Sequence, residues 1–161
     1  EIAGCHLLYS SGTTGRPKGI KAPFAPGPID EFYQHEGAPT MYEPFKPLTA
    51  LNAGPLYHAA PLSGMVLTMR MGGTFITLRK FSAEAVLAAI DTWRANHAQF
   101  VPTMFVRLLA LPEETRAKYD VSSLRIAVHA AAPCPVEIKR RMIDWFGPVL
   151  YEYYASSEAV G

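Results

Sequence analysis

Residues 74–101 read TFITLRKFSAEAVLAAIDTWRANHAQFV, and this stretch decides the fold class. Thr74-Phe75-Ile76-Thr77-Leu78 alternates polar and apolar side chains and carries β-branched residues, which predicts a strand. Ser82 is a good helix N-cap, and Glu84 falls in the first turn, where an acid complements the unpaired backbone N–H groups. The helix it opens sets Val86, Leu87, Ile90 and Trp93 on one face, read as buried. Residues 98–101 then return to a strand. A strand, a helix and a second strand in under thirty residues is the repeating unit of a parallel sheet covered by helices.

The same alternation extends outward. Residues 48–53 read as a strand, and 63–71 as a buried helix ended by Gly72-Gly73. Pro102 opens a helix that Pro112 stops after Leu111. Residues 124–128 form a strand. Pro135 opens a helix with Ile138, Met142 and Trp145 on its apolar stripe, Gly147-Pro148 stops it, and 149–153 form the last strand. Upstream, Cys5-His6-Leu7-Leu8-Tyr9 reads as a short buried strand, with a loop over 10–19. Pro23, Pro26, Pro28, Pro39, Pro44 and Pro47 leave room only for a short helix around 29–36. The expected fold is α/β, a largely parallel sheet flanked by helices. Ligands of such sheets sit on loops at the strand C-termini, and the loops 10–19 and 154–158 both follow predicted strands.

Composition narrows the function classes. With 161 residues, 49% hydrophobic and 18% charged, the chain can bury a core and is not of disordered type. A net charge of +1 gives no electrostatic footprint for nucleic acid or an anionic membrane. No apolar run approaches the roughly 18 residues of a membrane span. Two cysteines, Cys5 and Cys134, make neither a disulfide framework nor a metal-ligand pattern, and the expected compartment is the reducing cytoplasm.

The chemistry concentrates in Ser10-Ser11-Gly12-Thr13-Thr14-Gly15-Arg16-Pro17-Lys18-Gly19. Glycines let backbone N–H groups curl toward an anion, four hydroxyls add donors, and Lys18 adds a point charge. The set suits a polyphosphate. It is not a Walker A loop, because Pro17 precedes Lys18 and Gly19 follows it.

The string from Tyr9 to Gly19 resembles the phosphate-loop signature of the adenylate-forming superfamily, which holds acyl-CoA synthetases, luciferases and peptide-synthetase adenylation domains. Three more segments fall in that family's order. Pro55-Leu56-Tyr57-His58 resembles its turn beside the acyl pocket, Ala130-Ala131-Ala132-Pro133 its small-residue adenine turn, and Tyr154-Ala155-Ser156-Ser157-Glu158 its Tyr-Gly-x-Thr-Glu motif. The resemblance covers essentially the whole chain and is nearest to acyl-CoA synthetases acting on fatty, aryl or steroid acids.

The resemblance implies a set of roles. Ser10, Ser11, Gly12, Thr13, Thr14, Gly15 and Lys18 hold the ATP phosphates. Ala131, Ala132 and Pro133 line one side of the adenine, and Tyr154 stacks on the other. Ser157 offers a hydroxyl to the α-phosphate, and Glu158 binds Mg²⁺. His58 sits near the substrate carboxyl, so Lys18, His58 and Glu158 carry the catalytic roles. His129 either faces the acyl pocket or is structural. Cys134 has no neighbouring base and is rejected as a nucleophile. The implied partners are ATP, a carboxylic acid and CoA, in an AMP-forming acid–CoA ligase. Ala155 and Ala159 replace residues that are usually Gly in the family.

The ribose-binding Asp, the hinge and the C-terminal lysine of the family find no match in residues 1–161. The chain is therefore expected to be the central part of a larger N-terminal domain, without the small C-terminal domain, and inactive alone. Two alternatives stand beside the ligase: a non-catalytic nucleotide-binding or interaction fragment, and a peptide-synthetase-like adenylation domain.

Overall fold

The structure, a computed structural model, describes residues 7–10, 15–21 and 47–155. The chain divides into two compact units, Phe45–Tyr154 and a second made of Glu1–Pro44 with Ala155–Gly161. In the second unit, β1 (Leu7–Ser10) and β2 (Lys18–Lys21) form an antiparallel hairpin that sets Ser10 opposite Lys18 and Tyr9 opposite Gly19. The expected loop over 10–19 is thus shorter: its ends are drawn into strands. The hydroxyl- and glycine-rich composition hid a strand that forms by pairing, not by periodicity. The expected helix at 29–36 lies outside the described residues.

The larger unit is a five-stranded sheet in which every neighbouring pair runs parallel. Its strands are β3 (Thr49–Asn52), β4 (Thr74–Thr77), β5 (His97–Phe100), β6 (Ile126–His129) and β7 (Leu150–Glu152), in the order β4-β3-β5-β6-β7. From β3 the chain runs through α1 (Ala59–Arg70) to β4 at one edge, then crosses back through α2 (Ala83–Trp93) to β5 on the other side of β3. Helices α3 (Pro102–Leu109) and α4 (Glu113–Arg116) lead to β6, and α5 (Val136–Phe146) leads to β7. The reversal at β3 and β5 sends successive connections to opposite faces. Accordingly α1 packs on β3 and β4 from one side. Residues of α2, α3 and α5 close the other side over Leu51, Ala98, Phe100 and Ala127.

Local chemistry explains most boundaries. The Ser82 hydroxyl accepts the Ala85 N–H at 3.4 Å to start α2. That helix ends with Arg94 in the left-handed region (φ 50°) and the Ala95 N–H bonded to the Ile90 carbonyl at 3.1 Å, the six-residue closure of a Schellman turn. Glycine usually takes that place; here the Arg94 guanidinium pairs with Asp120 at 2.6 Å. Helix α1 begins at Ala59, four residues before the expected start. Pro61 lies in its first turn, where a missing N–H leaves no intrahelical bond unmade. Gly73 has a packing duty beyond ending the helix: a Cβ there would strike the Leu48 carbonyl oxygen and meet Thr68 Cγ2 at 3.1 Å.

The strand expected to be buried over 5–9 is not buried at its described ends, with Leu7 51% and Tyr9 68% exposed, because a two-stranded hairpin has no layer of its own to cover it. Two more readings fail in the larger unit. Val86, Leu87 and Ile90 are fully buried, but Trp93 is 60% exposed. It is the last residue of α2, where the helix has run past the surface that covers its earlier turns. The single turn α4 after Pro112 also escaped the sequence reading. Among the described residues no helix is long and apolar enough to cross a membrane.

Candidate active site

The expected functional residues of the larger unit gather at the C-terminal ends of its parallel strands. After β3, the Gly54 N–H donates to Asn52 Oδ1 at 2.7 Å. The His58 N–H then closes a turn on the Pro55 carbonyl at 3.2 Å. His58 is the N-cap residue of α1, but its side chain makes no capping bond. The imidazole is exposed, with the Tyr57 ring 4.7 Å away and itself 83% exposed. Among the described residues nothing covers the His58 imidazole beyond the neighbouring Tyr57 ring.

Strand β6 ends in two contrasting residues. His129 is fully buried, edge-on to Phe105 of α3 with ring centroids 5.3 Å apart. Neither of its nitrogens has a hydrogen-bond partner among the described residues. Burial pushes its pKa down, with Glu152 opposing and Lys139 assisting. The residue belongs to the apolar layer under α3. Two positions later, Ala131 has φ 75°, a left-handed conformation that costs a residue with a Cβ about 1 kcal/mol. Such strain persists where the surroundings impose it, often at ligand sites. Ala131, Ala132 and Pro133 are all exposed, a bare turn of small side chains. The Cys134 thiol is half-buried and burial pushes its pKa up, the opposite of an activated nucleophile.

Strand β7 lies beside β6, with Glu152 in register with His129. Two residues beyond each of these stand Tyr154 and Ala131, so the structure brings the expected adenine-contacting residues to neighbouring strand ends. Tyr154 is 96% exposed, an aromatic face without cover. Glu152 accepts from Lys139 Nζ at 2.7 Å, and this bond holds its carboxyl below the usual range.

Three residues that the sequence did not single out complete this edge. Asn52 Nδ2 donates to Gln99 Oε1 at 2.9 Å, and Gln99 Nε2 donates to the Tyr153 hydroxyl at 3.2 Å. Asn52 is 2% exposed. A polar residue closing the buried strand TALN, and another in HAQF, were the available signals.

In the hairpin unit, Ser10 and Lys18 face one another across the strands, Lys18 is exposed, and Gly15 takes φ 77°. Ser11, Gly12, Thr13, Thr14, Ser157 and Glu158 lie outside the described residues. The expected Mg²⁺ ligand is among them. Among the described residues no group of three or more His, Cys, Asp or Glu side chains could hold a metal.

The chain matches the family described as AMP-binding enzyme over residues 4–161. It is 35% identical over 156 residues to a feruloyl-CoA synthase of Amycolatopsis sp., covering 96% of this chain and 30% of that protein. It is 33% identical over 159 residues to 4-coumarate–CoA ligase-like 8 of Arabidopsis thaliana, covering 96% and 28%. Its fold superposes, with a TM-score of 0.68 and 25% identity, on O-succinylbenzoate coenzyme A synthetase of Bacillus subtilis solved with ATP and magnesium ion, over 94% of this chain and 30% of that one. The chain thus spans under a third of the length of the curated relatives it matches.

Proposed function

Because this chain belongs to the AMP-binding enzyme family, we propose that its protein is an AMP-forming acid–CoA ligase. A carboxylate oxygen attacks the ATP α-phosphorus and pyrophosphate leaves. The CoA sulfur then attacks the acyl carbon and AMP leaves. Both named relatives are CoA ligases or synthases, which favours this branch over a peptide-synthetase adenylation domain. The observation that carries the reading is the bare edge formed by the strained Ala131–Pro133 turn and the uncovered Tyr154 ring at adjacent strand ends. A flat purine fits between small side chains and an aromatic face.

Little covalent work falls to side chains in such a reaction; positioning and charge neutralisation dominate. Lys18 places a cation beside the phosphates, and Ser10, Ser11, Thr13 and Thr14 supply hydroxyl donors, with Gly12 and Gly15 allowing the backbone to approach. Ser157 offers its hydroxyl to the α-phosphate. His58 orients the substrate carboxylate from the start of α1. Glu158 would hold Mg²⁺, which when bound supplies charge neutralisation at the phosphates. We read residues 1–161 as the central part of a larger N-terminal domain, working in the cytoplasm and complete only with the remainder of its enzyme.

Glu158→Gln in the full-length protein tests the reading. Gln keeps the shape and loses the charge. Acyl-adenylate formation should fall at least about a hundredfold, roughly 3 kcal/mol in barrier. Thioester formation from supplied acyl-adenylate should persist, and high Mg²⁺ should recover part of the first step. Equal loss of both half-reactions in a folded variant would remove Glu158 from this role.

A further inference from the structure

The hydrogen bonds Gly54–Asn52–Gln99–Tyr153 form a chain whose direction is set at one end. The Gly54 backbone N–H can only donate, so the atom of Asn52 facing it at 2.7 Å must be the carbonyl oxygen. That leaves the Asn52 amide nitrogen toward Gln99, whose oxygen must accept it at 2.9 Å. The Gln99 nitrogen then faces the Tyr153 hydroxyl at 3.2 Å, and the phenol oxygen must accept. The Tyr153 proton is therefore not used inside the chain. It is left for an acceptor outside these four residues, on a residue 38% exposed.

The place of this chain gives the proton a purpose. Asn52 closes β3 and Gln99 lies at the end of β5, the two strands between which the connections reverse. In parallel α/β sheets the crevice outside that reversal is where ligands bind. Tyr153 follows β7 and reaches Gln99 of β5 past the intervening β6, and its own N–H bonds to the His129 carbonyl at 3.3 Å. Tyr153 thus stands between the crevice and the Tyr154 and Ala131 edge. On the α1 side Gly64 faces this amide: a Cβ there would lie 3.7 Å from Gln99 Oε1, in ordinary van der Waals contact.

We propose that Tyr153 is a specificity-determining donor for the acid substrate, its polarity locked by Asn52 and Gln99, and that the acid carries an oxygen acceptor remote from its carboxyl group. This rests on the acid–CoA ligase reading above. A carbonyl, ether or hydroxyl oxygen in the body of the acid would accept the proton. A pure hydrocarbon acid would bury the donor unpaired, which costs far more than a lost methylene contact.

The test uses the full-length protein and pairs of acids that differ only by a distal oxygen replaced by CH₂. Pyrophosphate release should favour the oxygen-bearing acid at least about tenfold in kcat/KM. Tyr153→Phe should cut this preference to about twofold or less, raising turnover of the CH₂ acid, which no longer buries an unpaired donor, and lowering that of the oxygen-bearing acid. Gln99→Glu keeps the tyrosine, but its carboxylate accepts from both sides and turns the phenol proton inward. It should abolish the same preference, which a merely structural role for Gln99 would not. An unchanged preference in Tyr153→Phe, or none in the wild type, overturns the proposal. If no acid releases pyrophosphate, the ligase reading fails instead. Calorimetric binding of the same acid pair to wild type and Tyr153→Phe then decides the donor role independently.

Discussion

The two faces of the five-stranded sheet are built from the same short strands and could hardly differ more. On one face Leu51, Ala98, Phe100 and Ala127 meet α2, α3 and α5, and Val86, Leu87, Ile90, Phe105, Leu108 and Met142 are fully buried there. On the other face the next residues along, Asn52 and Gln99, carry a hydrogen-bond chain. Helix α1 above them has only Thr68 buried among its twelve residues. Because side chains alternate across a strand, each strand divides its duties residue by residue. One face supplies rigidity, and the other spends it on holding polar groups in a set direction.

The largest effect should come from breaking the apolar face. Phe105 touches Phe100 and His129 and is fully buried. Phe105→Ala should cost about 3–5 kcal/mol, the usual range for a buried phenylalanine. Hydrogen exchange at the β5 and β6 amides of the full-length protein should read this loss. Selectivity between the paired acids should hold in the molecules that remain folded. If selectivity collapses while β5 and β6 stay protected, the two faces are not separable.

Acid should act next, through a histidine on the polar side. Burial pushes the His97 pKa down to about 4 from its ordinary 6.5. Between these values the unfolded chain binds a proton that the folded one does not, so stability rises with pH there. The contribution is complete above pH 6.5 and is lost as pH falls toward 4, by at most about 3 kcal/mol. The lowered pKa of His129 acts in the same direction from the opposite face. Urea midpoints against pH should flatten in His97→Gln. A curve unchanged by that substitution would assign the acid sensitivity to the His129 side.

The smallest effect belongs to the turn at the edge both faces share. Ala131→Gly removes the Cβ from a left-handed residue and should stabilise by up to about 1 kcal/mol, less whatever entropy glycine adds to the unfolded chain. AMP affinity should stay within a few-fold, since a small side chain is all the proposed purine contact asks. Destabilisation by more than 1 kcal/mol would mean that the methyl group packs, and that the turn is not merely strained.

Much of the fold was legible because its signals are local. Ser82, Pro102 and Gly147 mark helix ends within a turn of where they act, and the alternation over 74–101 gave strand, helix, strand. Legibility failed where an outcome depended on a neighbour. Strand β2 exists only by pairing with β1, and Trp93 had the right spacing on a helix that ends before it is covered. At the site, Ala131, Tyr154 and His58 were proposed because each sits in a recognisable local string. His129, left open between acyl pocket and structure, is decided by its contact with Phe105.

The amino-acid sequence by itself determined the α/β class, the helix ends and the family-like strings to which the nucleotide chemistry is assigned in the proposal, because each is written in residues close along the chain. Only the tertiary structure decided which of those residues share an edge, and it alone joined Asn52 to Gln99 across 47 positions and Gln99 to Tyr153 across 54. The physical reason is strand order. Placing β3 beside β5, with β4 outside, is an outcome of packing helices on both faces, and no periodicity within a strand encodes its neighbour.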